Sequence, residues 1–189
     1  MTATLPEHIT ITPRGPFDVT LRLPGSKSLT NRALLLAALA EGESEIRGVL
    51  LSDDSRVMLE ALNALGFLLR IDEQSRTVRI IGGGGFMPQE QANLHLGNAG
   101  TAFRFLAAAC CLGTREPVAK NCYFLDGVPR MRQRPVGQLV EMLGQLGGRI
   151  AYRGDEGMPP LQVWGTGLRG GTLTLRPTLS SQYISALLQ

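Results

Sequence analysis

Apolar and polar positions follow one plan three times along the chain. Each copy begins with an alternating apolar–polar stretch, passes a short turn with Pro or Gly, and enters a run rich in Ala and Leu. Alternation at every second position predicts a strand, and a long apolar run after a turn predicts a helix. The three predicted strands end at Leu23, Leu96 and Leu175, at nearly equal intervals, so the sequence indicates an internal repeat.

The residues after each predicted helix extend the repeat. In the first copy, Ser52-Asp53-Asp54 has the acids expected at a helix start, and Gly66 is suited to end that helix. Further elements are predicted at residues 45–51 (strand), 56–65 (helix), 67–71 and 77–81 (hairpin), and in the second copy at 118–125 (strand), 135–146 (helix), 149–153 and 161–164 (strands). The unit is therefore β-α-β-α-β-β, and the sequence predicts an α/β (α+β) fold built from it.

These units define the predicted domain organisation. Residues 1–17 are assigned to an N-terminal strand or interdomain segment, and residues 18–189 to one substrate-binding domain. That domain comprises repeats 18–82 and 91–165 and a partial third repeat, 171–189, which stops inside its helix. An incomplete unit cannot bury its apolar face, so we expect the chain to be part of a longer or split protein whose second domain lies outside it.

Two stretches carry specific structural expectations. Residues 33–40 contain no charged side chain, so the first helix is expected to be buried between other elements. Residues 82–85 are four glycines between the first and second copies. They are interpreted as a flexible connection, because no strand–loop–helix context around them supports a phosphate-binding loop.

Composition narrows the functional classes. The chain has 189 residues, of which 43% are hydrophobic, and a mean hydropathy of +0.05, as is typical of a globular domain. It has no apolar stretch long enough to span a membrane and no secretory signal, so we expect a cytoplasmic protein without a membrane partner. The net charge of +3 is small and aromatic residues make up 5%, which argues against nucleic acid as a partner.

The cysteines and histidines do not indicate a disulfide framework or a metal site. Cys110, Cys111 and Cys122 are an odd number without C-x-x-C spacing, which favours reduced and buried thiols. His8 and His95 are far apart in sequence and belong to no metal-binding motif. We therefore expect no bound metal.

The three strand-to-helix turns are equivalent in the repeat, so the helix N-termini after them should face similar surroundings. A helix N-terminus carries about half a positive charge and attracts anions. The first turn adds the cations Lys27 and Arg32 and the hydroxyl groups of Ser26 and Ser28, a set suited to a small phosphorylated anion. The alternative is a serine N-cap beside a solvated lysine.

The other two turns carry polar residues of the same kind. Asn98 is flanked by glycines, among them Gly100, that let the backbone approach a ligand closely. The alternative there is an ordinary glycine turn with Thr101 as the N-cap. In the third turn, the residues that suit either an anion or a plain helix cap are Ser180, Ser181 and Gln182.

Three arginines lie between the strand and the helix in the second half of copy two. They are Arg130, Arg132 and Arg134. A guanidinium group can bind a carboxylate or a phosphate through two parallel hydrogen bonds, so this segment favours an anionic ligand. The alternative is a surface loop whose arginines are solvated.

Four segments together resemble the motifs of the EPSP synthase (5-enolpyruvylshikimate-3-phosphate synthase) family. They are PGSKSLTNRALLLAALA, LGNAGTAFRFL, PRMRQRP and SSQYISALL, in this order and spacing. The resemblance implies two domains, each with three β-α-β-α-β-β units around a pseudo-threefold axis. It also implies transfer of the enolpyruvyl group of phosphoenolpyruvate to the 5-hydroxyl of shikimate 3-phosphate, with release of phosphate and without metal or cofactor.

The resemblance also implies roles for the turn residues. Lys27 would contact both substrates and help proton transfer, which makes it the catalytic candidate of this chain. The residues expected to bind shikimate 3-phosphate are Lys27, Ser28, Arg32, Ser180, Ser181 and Gln182. Those expected to bind phosphoenolpyruvate are Lys27, Asn98, Gly100, Arg130 and Gln182. Gly100 also matches the position where a side chain would exclude glyphosate, which implies a glyphosate-sensitive type.

The chain departs from the family pattern at two positions and lacks one role. Phe105 stands where the family often has proline, and Val128 stands where it often has glutamate. The family's catalytic aspartate belongs to a later part of a longer chain, and no carboxylate in these 189 residues matches it. The C-terminal part of the enzyme is therefore an expected partner, and this chain alone is expected to be inactive.

Two alternatives remain open. UDP-N-acetylglucosamine enolpyruvyl transferases have the same repeats but carry a reactive cysteine in the loop before the arginine segment. Residues 124–135 contain no cysteine, which argues against that family. A non-catalytic anion-binding module would need only the three turns.

Overall fold

The structure, a computed structural model, describes residues 8–10, 12–13, 15–21, 23–116, 120–175 and 180–189. These residues contain five α-helices and seven strands. In chain order they are α1 (Lys27–Leu39), β1 (Glu41–Arg47), α2 (Asp53–Ala64), β2 (Leu68–Asp72), β3 (Thr77–Gly83), β4 (Gln91–His95), α3 (Gly100–Ala109), β5 (Cys122–Asp126), α4 (Gly137–Gln145), β6 (Arg149–Tyr152), β7 (Leu161–Trp164) and α5 (Ser181–Leu188). A single 3₁₀ turn, Met131–Gln133, precedes α4.

The strands form two sheets of related topology. The first has the order β1-β3-β2, with antiparallel neighbours throughout. The second has the order β4-β5-β7-β6, in which β4 and β5 are parallel and the other pairs are antiparallel. The segment β5-β7-β6 repeats the arrangement of β1-β3-β2, so the predicted α/β fold with a repeated unit is observed.

Two of the three strands that were predicted to open the copies do not form. Residues 18–21 and 23 are in no strand, and neither are residues 171–175; Arg22 lies outside the described residues. Val19 and Leu23 are 57% and 83% exposed. Only β4 forms as predicted, because it pairs with β5. A segment with alternating apolar and polar residues forms a strand only when it can pair with the edge of a sheet. In the described chain, no strand pairs with the outer edge of β1.

Three other predicted strands differ from the structure in their limits or do not form. The described residues of the predicted N-terminal strand, 8–10, 12–13 and 15–17, form no strand, and the other residues of 1–17 lie outside the described ranges. The strand predicted at 118–125 is β5, and Val118 and Ala119 are also outside them. The strand predicted at 45–51 is β1, which begins earlier because its polar residues pair with β3 from Glu41↔Gly83 onwards.

The core lies between the helices and the inner faces of the sheets. α3 is buried along its whole length, from Gly100 to Ala109. α1 buries Leu34 and Leu35, but Leu29 and Leu36 are 68% and 50% exposed, so the expectation that α1 is buried between other elements holds for one face only. Burial of each large apolar side chain contributes about 1.5–3 kcal/mol, so α1 is held mainly by its inner face.

The glycine run at residues 82–85 has a structural role that its sequence did not indicate. Gly82 and Gly83 end β3. The N–H groups of Gly84 and Gly85 donate to the carbonyl oxygens of Ala40 (2.9 Å) and Leu39 (2.7 Å). These bonds satisfy carbonyls at the end of α1 that have no partner within the helix. The run is a helix cap with φ values of +62° and +86° at its last two glycines, and the flexible connection is a wrong prediction.

Replacement of Gly82 by alanine should destabilise the fold. A Cβ at Gly82 would lie 2.6 Å from the Ala37 carbonyl oxygen and closer still to that of Ala40. Backbone must move to admit it, so we expect a loss of about 1–3 kcal/mol of unfolding free energy, measured by urea denaturation.

Gly144→Ala is the matched control. Gly144 lies within α4 and has no heavy atom within 4 Å of a new Cβ, so alanine should add about 0.5–1 kcal/mol through its helix propensity. Equal effects of the two substitutions would contradict the close approach of β3 to α1.

Candidate anion-binding site

The N-terminus of α1 is capped by its own serine, and its lysine is paired. Ser26 Oγ accepts a hydrogen bond from the Leu29 N–H (3.4 Å), so Ser26 is the N-cap. The Lys27 ammonium lies 3.0 Å from a carboxylate oxygen of Asp54, and half of the lysine side chain is exposed. The lysine is therefore half-exposed and also paired with an acid from the start of α2, which the solvated-lysine alternative did not include.

Asp54 is a site residue that the sequence reasoning missed. The pair Asp53-Asp54 was interpreted only as acids that favour a helix start. The repeat could have indicated Asp54. The connection that leads into α2 is equivalent in the repeat to the arginine segment that leads into α4, and that segment was predicted to bind a ligand. One turn after Asp54 on the same face of α2, Val57 Cγ2 lies 3.7 Å from where a Cβ of Gly97 would be. Asp54 thus lies near the second turn.

Arg32 connects the three helices that begin at the turns. Its Nη1 donates to the Ser28 hydroxyl and to the Ser28 carbonyl oxygen (3.1 Å), and its Nη2 donates to Ser185 Oγ of α5 (2.9 Å). Its guanidinium carbon lies 5.1 Å from the centre of the Phe105 ring of α3, within the range of a cation–π contact. Phe105, one of the two departures from the family pattern, therefore supports a predicted site residue.

The second turn and the arginine segment are bonded to each other. Gly97 has φ +51°, and its carbonyl oxygen accepts the Val128 N–H at 3.0 Å. Arg134 Nη1 donates to the Asn98 carbonyl oxygen at 3.0 Å. The two loops follow the carboxyl ends of β4 and β5, which are parallel, so the sheet brings them together. This contact joins the predicted residues Asn98 and Arg130 into one region.

Gly100 begins α3 beside two guanidinium groups. A Cβ there would lie 2.7 Å from Arg104 Nη1 and closer still to Arg134 Nη1. Glycine at this position therefore leaves room for both arginines at the start of the helix. The N-cap is Ala99 and makes no side-chain cap bond, so the alternative that Thr101 caps the helix is wrong.

The three arginines of the segment have different partners. Arg132 donates to both carboxylate oxygens of Asp126, at 2.9 and 2.5 Å. Arg134 binds the second turn, as described above. Arg130 is exposed and donates to Gln133 Oε1 at 3.3 Å. Arg132 and Arg134 are therefore bonded to protein groups, although Arg132 is also exposed. Arg130 is exposed and has no carboxylate partner among the described residues.

The third turn is partly a helix cap and partly a contact with α3. Ser180 Oγ accepts the Gln182 N–H at 3.3 Å, so Ser180 is the N-cap of α5. Ser181 is exposed at the start of α5, and the preceding Thr178 and Leu179 lie outside the described residues. Gln182 Oε1 accepts a hydrogen bond from Arg104 Nη1 at 3.1 Å. Arg104 is a second residue to which the sequence reasoning assigned no role.

The region has an excess of positive charge. Within the described ranges, no carboxylate lies within 4.0 Å of a guanidinium nitrogen of Arg32, Arg104, Arg130 or Arg134. Lys27 and Arg132 have acidic partners, so their charge is offset locally. Unpaired guanidinium groups next to helix N-termini favour an anionic ligand with several oxygen acceptors.

The cysteines lie away from these residues. Cys110 and Cys111 are fully buried, as expected, and Cys122 is half-buried. Burial raises the pKa of the Cys111 thiol to about 12 and raises that of Cys110 as well, so neither is a thiolate at neutral pH. In the part of the chain that the structure describes, no three His, Cys, Asp or Glu side chains are arranged to hold a metal, and each helix is too short or too polar to traverse a bilayer.

The sequence is similar to one enzyme family over nearly its whole length. Residues 11–188 match the family described as EPSP synthase (3-phosphoshikimate 1-carboxyvinyltransferase). The chain is 47% identical over 183 residues to the 3-phosphoshikimate 1-carboxyvinyltransferase of Ralstonia nicotianae, which covers 96% of this chain and 41% of that protein. It is 46% identical over 183 residues to the Aliivibrio fischeri protein of the same name, with 96% and 42% covered. The chain thus spans about two fifths of these curated relatives.

The fold is similar to a solved structure of the same kind. It matches EPSP synthase from Acinetobacter baumannii with a TM-score of 0.78 and 25% sequence identity. The match covers 89% of this chain and 37% of that one. The similarity in sequence and the similarity in fold therefore agree on the family.

The pair formed by Asp126 and Arg132 should make stability depend on pH. The hydrogen bond from Arg132 lowers the pKa of the Asp126 carboxyl below its ordinary 3.8, and the Gly127 N–H adds to this. The ionised form is therefore favoured by folding, which stabilises the protein above pH 3.8 and is lost as the pH falls through the lowered pKa. Asp126→Asn should lower the free energy of unfolding at pH 7 but not below the lowered pKa, as measured by urea denaturation.

Asp155→Asn is the control for this measurement. Asp155 is exposed and has no ion pair within the described ranges, so its substitution removes no such contact and should leave the free energy of unfolding at pH 7 nearly unchanged. If Asp126→Asn and Asp155→Asn gave the same pH profile, Arg132 would not hold the carboxylate as described.

Proposed function

This chain belongs to the EPSP synthase family, and we propose that it binds shikimate 3-phosphate beside phosphoenolpyruvate at the N-termini of α1, α3 and α5. The reaction proposed for the whole enzyme is transfer of the enolpyruvyl group to the 5-hydroxyl of shikimate 3-phosphate, with release of phosphate. The observation that carries the proposal is the group of guanidinium side chains without carboxylate partners in the described chain. Two phosphorylated and carboxylated substrates would supply the missing negative charge.

The proposed contacts fall into two groups. Ser28 and Arg32 of α1 and the third-turn residues Ser180, Ser181 and Gln182 would bind shikimate 3-phosphate. Arg32 supports this assignment because it already touches α5 through Ser185. The residues that would bind phosphoenolpyruvate are Asn98, Gly100 and Arg130, together with Lys27 and Gln182. Their two loops are bonded through Val128 and Arg134, which favours a shared ligand.

Lys27 is proposed to contact both substrates and to help proton transfer. Its ion pair with Asp54 ties the ammonium to the start of α2, the helix whose Val57 approaches Gly97, which supports a role between the two ligands. Enolpyruvyl transfer requires general acid–base catalysis, and the acid–base carboxylate is proposed to come from a C-terminal domain of the whole enzyme. Four points stay predictions: the C-terminal domain, the single domain at residues 18–189, the cytoplasmic location and the sensitivity to glyphosate.

Substitution of Arg32 should weaken substrate binding. Arg32→Met removes a charge-assisted donor, and such a bond contributes about 1.5–3 kcal/mol, so affinity for shikimate 3-phosphate should fall roughly 10- to 100-fold in isothermal titration calorimetry. Arg56→Met is the control, because Arg56 pairs with Glu73 on the exposed side of α2. Unchanged affinity in Arg32→Met would contradict the proposed site.

The same titration decides between the two transferase families. Wild-type chain should bind shikimate 3-phosphate in preference to UDP-N-acetylglucosamine. Preference for the UDP-sugar would favour the sister family. Binding of inorganic phosphate as tightly as shikimate 3-phosphate would favour a general anion-binding module.

The 189 residues alone should not turn over the substrates. The chain spans about two fifths of the curated relatives, and the proposed acid–base carboxylate lies outside it. With both substrates present, we expect no release of inorganic phosphate above background in a coupled assay. Measurable release would show that these 189 residues are sufficient for catalysis, against the proposal.

A further inference from the structure

We propose that Arg104 is a positioning residue, which holds the carboxamide of Gln182 so that its N–H groups face the bound anion. The inference rests on the proposed function in one respect, namely that Gln182 contacts the anion. Arg104 itself need not touch a ligand. Its role would be to orient the Gln182 carboxamide, so that the ligand contacts the N–H groups and not the oxygen.

Arg104 is held firmly by its own contacts. It is only 8% exposed, although it belongs to a surface-preferring residue type. Its Nη1 donates to the Gly100 carbonyl oxygen (2.9 Å) and to Gln182 Oε1 (3.1 Å), and its Nη2 donates to the Pro135 carbonyl oxygen (3.3 Å). The guanidinium group is therefore fixed by α3, by the loop before α4 and by α5 at once.

The residue next to Gln182 strengthens this arrangement. The Arg104 guanidinium carbon lies 5.2 Å from the centre of the Tyr183 ring. The Tyr183 hydroxyl donates to the Pro135 carbonyl oxygen at 2.7 Å, so Tyr183 and Arg104 bind the same acceptor. Gly100 contributes by lacking a side chain, since a Cβ would lie 2.7 Å from Arg104 Nη1. The start of α5 is thus locked against Arg104 at two successive residues.

The chemistry of the guanidinium group fixes the amide orientation. A guanidinium has donors and no acceptor, so the carboxamide must turn its oxygen toward Arg104. The nitrogen of Gln182, with its two N–H donors, then points away from Arg104. In the opposite orientation two donors would face each other, and the buried guanidinium would lose a partner. Gln182 is thereby fixed as a donor, which is what a phosphate or carboxylate oxygen requires.

The charge of Arg104 supports the same conclusion. In the described chain, the hydrogen-bond and ring partners of the guanidinium are two carbonyl oxygens, an amide oxygen and an aromatic ring, and its Nε has no hydrogen-bond partner. A buried cation that is compensated only by dipoles is costly for the free protein. It also creates a positive potential near Gln182, and a bound anion would relieve that cost. A residue needed only for packing would not require a charge at this place.

Two independent measurements test the proposal on this chain. The first is the side-chain amide of Gln182 in a ¹H–¹⁵N correlation spectrum without ligand. Wild type should give a dispersed pair of peaks for a fixed amide. In Arg104→Met the pair should move to the position of a freely rotating glutamine. Arg149→Met should leave it unchanged, because Arg149 stacks on Trp164 from β6, the edge strand of the second sheet opposite β4.

The second measurement is a double-mutant cycle on affinity for shikimate 3-phosphate. Arg104→Met and Gln182→Met should each weaken binding about tenfold, and the double variant should be no weaker than either, because Arg104 acts through Gln182. Losses that multiply to about a hundredfold in the double variant would overturn the proposal. Should Arg104→Met not fold, Arg104→Lys replaces it in both measurements, since it keeps the charge but lacks the fork that binds two acceptors.

The outcomes separate this inference from the proposed function. If wild type did not bind shikimate 3-phosphate but its Gln182 amide depended on Arg104, the proposed function would fail and the positioning of the amide would stand. If wild type bound the ligand and the Gln182 peaks were the same in Arg104→Met, with the rest of the spectrum folded, the positioning role would be wrong.

Discussion

The packing of α3 between α1 and α5 is the constraint on which the site depends. Every residue of α3 from Gly100 to Ala109 is buried, so the helix has no face to spare for solvent. Arg104 and Phe105 are neighbours on it and point about 100° apart, as successive helical residues do. The first therefore reaches Gln182 on α5, and the second meets Arg32 on α1. A single central helix thus sets the positions of polar side chains on both of its neighbours.

Charge is distributed around this helix in two ways. Some cations have an acid of their own: Lys27 has Asp54, and Arg132 has Asp126. These ion pairs position the turns, and their opposite charges leave little net electrostatic potential at the site. Arg32 and Arg104 are held by carbonyls, hydroxyls, an amide and aromatic rings, so their charge is not cancelled by described residues. The paired cations therefore fix the turns, whereas Arg32 and Arg104 both hold neighbouring elements and supply the positive potential.

Much of this was predictable from the repeat, and the failures have physical causes. The turns, the five helices and the two hairpins follow from periodicity and from the repeat. The strand predicted at 18–23 was wrong because strand formation depends on a partner edge, which alternation does not encode. The glycines at 82–85 were misjudged because a helix cap is a long-range contact. Arg104 carried a signal that went unused, since an arginine in an otherwise apolar helix must be solvated or bonded inside.

The two copies diverge most where the repeat enters its second helix. In the first copy this connection leads through Ser52 to Asp54 in the first turn of α2, and in the second it carries the arginine segment. The sheets place the two connections at equivalent ends. Val57 of α2 approaches Gly97, to which Val128 of the basic connection donates, and Arg134 donates to the next residue, Asn98. One connection therefore restrains a lysine while the other supplies cations to the adjacent turn. The two copies share one backbone arrangement. The difference between the acidic connection and the basic connection therefore depends on a few side chains at one position of the repeat.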